Sequence, residues 1–122
     1  MDKQKKILVA EDERPLAKAL ELKLSHSGYE VTVATNGQEA LDKLQNGGFD
    51  LVLLDLMMPV LDGFSVLEKL KSQNISVPVI VTSNLGQKED IDKAKKLGAK
   101  EYFIKSNTQL SEIVEYIKTA LS

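Results

Sequence analysis

The chain contains no cysteine, which removes disulfides, thiolate chemistry and every cysteine-based metal site. It has a single histidine, His26, so a His-rich zinc centre and a Ser-His-Asp triad lack the parts they need. His26 lies near the end of a helix-like stretch, where a cation is favourable, and is given no catalytic role. No apolar run approaches the ~20 residues of a bilayer-spanning helix. The start, Met1-Asp2-Lys3-Gln4-Lys5-Lys6, carries some positive charge, but a strand with an acidic end follows and no cleavage-type pattern is present, so no signal peptide is expected. A formal net charge of −2 does not suit a general nucleic-acid binder, which needs a clustered basic surface. Low-complexity segments, internal repeats and linkers are also missing. One domain over residues 1–122 is expected, without membrane or nucleic-acid partners and in keeping with the cytoplasm.

What remains is globular in composition, with 43% hydrophobic and 28% charged residues. A chain of this length can bury roughly two-thirds of its unfolded surface. Strand-like runs fall near 6–11, 30–35, 50–55, 78–83 and 101–105, alternating with amphipathic stretches near 15–27, 37–46, 63–73, 87–97 and 108–121. Regular βα alternation predicts parallel strands joined by right-handed crossovers, with helices on both faces. Pro15 suits a first helical turn and Gly28 an exit. Asn36 with Glu39 resembles a capping box, and Gly47-Gly48 ends that helix. Asp62 beside Gly63 reads as a helix cap. The last helix carries Leu110, Ile113, Val114, Ile117 and Leu121 on one stripe. The stretch 87–97 has a narrow stripe, mainly Ile91, Ala94 and Leu97, so that helix should be held weakly. The second strand alternates more than the others and belongs at the sheet edge.

Two apolar runs end in acid. Ile7-Leu8-Val9-Ala10 leads into Glu11-Asp12, and Leu51-Val52-Leu53-Leu54 leads into Asp55. If these strands are neighbours, three carboxylates meet at one sheet edge, and they cannot all stay ionised without a compensating cation. In open α/β sheets, ligands sit outside the carboxyl ends of the strands. The fourth strand brings Ser83 and Asn84 to that edge, and the fifth brings Lys105. This set suits phosphoryl transfer to a carboxylate. Mg²⁺ prefers hard oxygen ligands; Asp12 and Asp55 can ligate it directly and Glu11 through a water. Ser83 can donate to one phosphoryl oxygen while Lys105 pairs with another. The reaction depends on positioning and charge stabilisation, with Asp55 as nucleophile.

Along its whole length the chain resembles a receiver domain of the two-component response-regulator family, similar to chemotaxis regulators. The resemblance rests on Ile7-Leu8-Val9-Ala10-Glu11-Asp12, on Leu53-Leu54-Asp55-Leu56-Met57-Met58-Pro59 with Asp62-Gly63, on Pro78-Val79-Ile80-Val81-Thr82-Ser83 and on Tyr102-Phe103-Ile104-Lys105. It implies a doubly wound, flavodoxin-like (βα)5 fold with strand order 2-1-3-4-5. It implies Asp55 as phosphoacceptor and Glu11 and Asp12 as the acidic pair, with the Met57 carbonyl a further metal ligand. Ser83 is implied as the switch hydroxyl, Tyr102 as the switch aromatic, and Lys105 as the family lysine. Thr82 should point to the opposite side of its strand from Ser83. The implied donor is a phosphohistidine on a sensor histidine kinase or phosphotransfer protein. The implied output face joins 87–97, 101–105 and 108–121, which a partner or a second copy could occupy. When Ser83 moves toward the phosphoryl group, it should vacate space for Tyr102. The chain would then be no enzyme beyond its own phosphorylation and dephosphorylation.

Three positions depart from the family pattern. Glu11 is longer than the Asp of some members. Asn84 stands where a small residue is common. Ser106 follows Lys105 where proline is usual, and without proline a cis bond would cost ~3 kcal/mol, so a trans bond is expected. Other readings carry less. A phosphohydrolase would want a second Asp two residues after the nucleophile, and Met57 is there. A pseudo-receiver that binds partners without phosphorylation would not need the acidic pair, Ser83 and Lys105. A flavin carrier would want a glycine-bearing phosphate loop after the first strand, where Asp12-Glu13-Arg14-Pro15 is acidic.

Overall fold

The computed structural model describes residues 4–122; the expectation for residues 1–3 at the chain start lies outside the described residues. Five strands and five helices alternate: β1 (Lys6–Ala10), α1 (Arg14–His26), β2 (Glu30–Ala34), α2 (Gly37–Asn46), β3 (Leu51–Asp55), α3 (Gly63–Ser72), β4 (Val79–Ser83), α4 (Lys88–Lys96), β5 (Glu101–Ile104) and α5 (Leu110–Leu121). The strands form one parallel sheet in the order β2-β1-β3-β4-β5. This is the doubly wound, flavodoxin-like arrangement.

Burial explains the order. Every residue of β3 and β4 is buried, as central strands covered on both faces require. Only Ala34 of β2 is buried, which fits its place at the edge. Alternate strand residues feed two cores. Ile7, Val9, Leu51, Leu53 and Ile80 pack with α1 and α5, whereas Leu8, Val52, Leu54 and Val81 pack with α2, α3 and α4.

Local chemistry sets the helix ends. Pro15 occupies the first turn of α1 and His26 its last. Asn36 Oδ1 accepts from the Glu39 N–H at 2.8 Å, and Asp62 Oδ1 accepts from the Ser65 N–H at 2.8 Å, so both are N-caps. Gly47 closes α2 at φ 77°.

The last two helices are held very differently. α5 buries Ile113, Val114 and Ile117, whereas α4 buries only Ala94. At ~1.5–3 kcal/mol per buried aliphatic side chain, α5 is anchored several-fold more strongly than α4. Ile91 and Leu97 add partial packing to α4.

Candidate functional site

The site lies at the carboxyl end of the sheet. β1 stops at Ala10, and the Glu11 N–H donates to the Ala34 carbonyl at 2.9 Å. Glu11 is 1% exposed although it leaves the strand. Carboxylate oxygens of Glu11, Asp12 and Asp55 all lie within 4.8 Å of one another, Asp12 being the exposed member. The three residues that end the two apolar runs therefore meet in space, because β1 pairs directly with β3.

One cation faces them. Lys105 Nζ is 2.6 Å from Glu11 Oε1, 3.0 Å from Asp55 Oδ2 and 3.9 Å from Glu13 Oε1. The lysine does not extend β5 as the sequence suggested. It opens a 3₁₀ turn, Lys105–Asn107, that bends its side chain over the sheet edge. The described residues contain no cis peptide bond, so the Lys105-Ser106 bond is trans. Asp55 Oδ1 accepts from the Met57 N–H at 3.1 Å. Glu11 Oε2 accepts from the Glu13 N–H at 3.1 Å. Neither role of Glu13 was foreseen; an acid directly after Glu11-Asp12 was the available signal.

The charges do not balance. Burial, opposed by the Lys105 contact and reinforced by Asp55, raises the Glu11 carboxyl from 4.5 to about 7. Burial alone would lower the Lys105 ammonium, but hydrogen bonds to Glu11 and Asp55 push it above its ordinary value. The ammonium pairs with Glu11 Oε1 at 2.6 Å, and that buried oxygen has no other partner among the described residues. Three crowded carboxylates facing one ammonium fit a hard divalent cation such as Mg²⁺. Glu11, Asp12 and Asp55 are the side chains that could hold it.

A pH dependence follows. A Glu raised from 4.5 to about 7 is more readily protonated in the fold than in the unfolded chain. Its stabilising contribution is complete below 4.5 and is lost as pH rises through about 7. Metal-free protein should therefore lose stability, by up to a few kcal/mol, between these limits. Glu11→Gln should flatten that slope. Denaturant unfolding across pH, in chelator, measures it; equal slopes in both proteins would show that Glu11 carries no such cost.

Ser83 is fully buried at the end of β4, and its Oγ accepts from the Leu85 N–H at 3.2 Å. Thr82 faces the other way, toward Leu16, Leu20 and Ile113. Ser83 thus hydrogen-bonds the loop leading to α4. Tyr102 reaches the same loop. Its ring already lies inside, 9% exposed and packed in the α2–α4 core, with its hydroxyl donating to the Leu85 carbonyl. Burial raises the Tyr102 hydroxyl, partly offset by its neighbour Ser83. Asn84 is exposed, and Met57 is 55% exposed.

Two glycines fix the loop after Asp55. A Cβ on Gly63 would lie 2.5 Å from the Asp55 carbonyl oxygen, and one on Gly37 would lie 1.7 Å from the Leu61 carbonyl oxygen. α3 and α2 can approach this loop only because both positions lack a side chain.

The response regulator receiver domain family matches this chain over residues 7–118. A transcriptional regulatory protein of Bacillus subtilis (strain 168), YkoG, itself uncharacterized, is 38% identical over 115 residues. That match covers 94% of this chain but 50% of the relative, so the chain spans about half the relative's length. The solved receiver domain of Francisella response regulator 1452 is 34% identical, covers 95% of each chain and superposes with a TM-score of 0.89. A CheY-like receiver domain protein from Methanospirillum hungatei JF-1 is 28% identical, covering 98% of this chain and 94% of its own, with a TM-score of 0.90.

Proposed function

Because the chain belongs to the response regulator receiver domain family of two-component systems, we propose that it takes a phosphoryl group onto Asp55 from a phosphohistidine. The donor would be a sensor histidine kinase or a histidine phosphotransfer protein. The observation that carries this reading is the single ammonium of Lys105 set against the clustered carboxylates of Glu11, Asp12 and Asp55. In the transfer, an Asp55 carboxylate oxygen forms a bond to phosphorus with its own electron pair. The phosphorus–nitrogen bond breaks, and its pair stays on the departing imidazole nitrogen. No proton must be removed from the nucleophile, so no general base is required.

Lys105 compensates charge on a phosphoryl oxygen from its place beside Asp55. Glu11 and Asp12, with Asp55 and the Met57 carbonyl, would hold Mg²⁺, which would supply positive charge against the incoming phosphoryl oxygens. The Ser83 hydroxyl can turn to donate to a phosphoryl oxygen while its Oγ keeps the Leu85 N–H. Tyr102 clamps the same turn from the other side through the Leu85 carbonyl. A pull on Ser83 is thereby passed to the loop ahead of α4, the most weakly anchored helix. The output surface would be α4, β5 and α5, open to a partner or to a second copy.

Receiver domains of this family are not classical enzymes, and nothing at the site suits turnover of external substrates: Met57 occupies the place of a leaving-group acid. We place the protein in the cytoplasm with its donor and take 1–122 as one receiver unit. No helix of the described residues is long and apolar enough to cross a membrane.

The test is intact-mass measurement after incubation with acetyl phosphate. Wild type should gain one phosphoryl group with Mg²⁺ and little in chelator, and Asp12→Ala should need more Mg²⁺ for the same rate. Labelling that ignores both metal and Asp12 would refute the site.

A further inference from the structure

Two of the large apolar side chains that stand exposed belong to the loop after Asp55: Met57 at 55% and Val60 at 78%. Val60 is also conformationally anomalous. Its φ is +70°, a region that β-branched residues avoid. The Leu61 N–H donates to the Pro59 carbonyl at 2.8 Å, which closes a three-residue turn with Val60 at its centre. With positive φ at the centre, this is the rare and strained form of the γ-turn. The other non-glycine residue at positive φ, Asn74, is of a type that tolerates it.

The surroundings hold this turn in place. The Gly37 N–H donates to the Pro59 carbonyl at 3.4 Å, and the Gly63 N–H donates to the Leu56 carbonyl at 2.9 Å. Gly37 lies against Leu61, and Gly63 lies against Asp55 and Leu56. Strain of this kind persists where neighbouring structure over-determines it, and it concentrates at functional sites. Within the isolated chain, the Val60 side chain gains almost no burial for its unfavourable backbone. Glycine or asparagine would fit the turn better.

From this we infer that Val60, with Met57 beside it, is an apolar foothold for the protein that brings the phosphoryl group to Asp55. The inference rests on Asp55 as the acceptor. A small phosphodonor need only reach the carboxylate. A protein donor must also press a surface against the rim of the site, where Asp12 and Glu13 offer only exposed acid. Met57 is tied to Asp55 through its own N–H, so the foothold adjoins the acceptor. The locked turn presents Val60 already ordered, which reduces the entropy lost on docking. A protruding apolar side chain in such a place suits a shallow apolar depression on the partner.

The experiment compares two donors on the full chain. Acetyl phosphate is the small one. The protein donor is the fastest wild-type partner in a panel of autophosphorylated sensor histidine kinases. Val60→Asn and Val60→Gly should melt at or above wild type and take label from acetyl phosphate within about twofold of its rate. Transfer from the kinase should fall by tenfold or more, and Val60→Leu should restore most of it. Undiminished kinase transfer in the Asn and Gly variants would overturn the foothold. So would equal losses from both donors, or a wild type labelled by acetyl phosphate and by no kinase. A wild type labelled by neither donor would instead overturn Asp55 as acceptor, and the foothold with it.

Discussion

Lys105→Met should slow phosphorylation by acetyl phosphate about 100-fold or more, the scale of loss when a preorganised group facing developing charge is removed. The ammonium is the only cation within 4 Å of Glu11 or Asp55 among the described residues. Methionine retains much of the side-chain volume, so the comparison isolates charge from packing. The folded state should also suffer. Removing one partner of a buried ion pair typically costs roughly 3–5 kcal/mol, because the other charge is left uncompensated. Here Glu11 can take up a proton, since burial already lifts its carboxyl to about 7. The loss should therefore be smaller near pH 6 than near pH 8, and added Mg²⁺ should recover part of it at the higher pH. Stopped-flow labelling and denaturant unfolding at both pH values read these effects. A variant that phosphorylates at the wild-type rate would remove Lys105 from the chemistry.

Gly37→Ala should be the most damaging small substitution in the chain. Its Cβ would stand 1.7 Å from the Leu61 carbonyl oxygen and 2.9 Å from the Leu61 Cβ. The first of these is a backbone atom that cannot rotate away, so α2 or the loop after Asp55 must shift. Overpacking of this kind costs ~1–3 kcal/mol or more, and the upper end applies when backbone must yield. For a domain of this size that lowers the melting temperature by roughly 10 °C. The displaced loop carries the Met57 N–H that bonds Asp55, so phosphorylation should slow as well. Gly86→Ala is the control, since its Cβ would meet Ile104 at an ordinary 3.5 Å. Equal melting temperatures for the two variants would show that the loop is not pinned at Gly37.

Both predictions depend on features of unequal legibility. The sheet could be read from sequence because β3 and β4 are continuous apolar runs with acids or hydroxyls at their ends, and β2 alternates. The acidic cluster followed from the same pattern once β1 and β3 were neighbours. Caps at Asn36 and Asp62 were legible because capping is local. Contacts between segments distant in sequence were not. Gly37 meets Leu61 only when α2 is folded against the β3–α3 loop, and nothing near Gly37 marks that approach. Pro59-Val60-Leu61 lacks the glycine or asparagine that would signal a left-handed turn. Tyr102 is inside because α4 and the Leu85 carbonyl leave it a pocket with an acceptor, a tertiary fact. Lys105 leaves the strand because a 3₁₀ turn directs its ammonium back to Glu11 and Asp55.

The acceptor itself can be located directly. Protein labelled with acetyl phosphate and Mg²⁺ is treated with borohydride, which reduces an aspartyl phosphate to homoserine, and the peptides are mapped by mass spectrometry. The modification should fall on Asp55 alone, and Asp55→Asn should melt at or above wild type yet acquire no label. Homoserine at Asp12 or elsewhere in place of Asp55, or full labelling of the Asn variant, would contradict Asp55 as the phosphoacceptor.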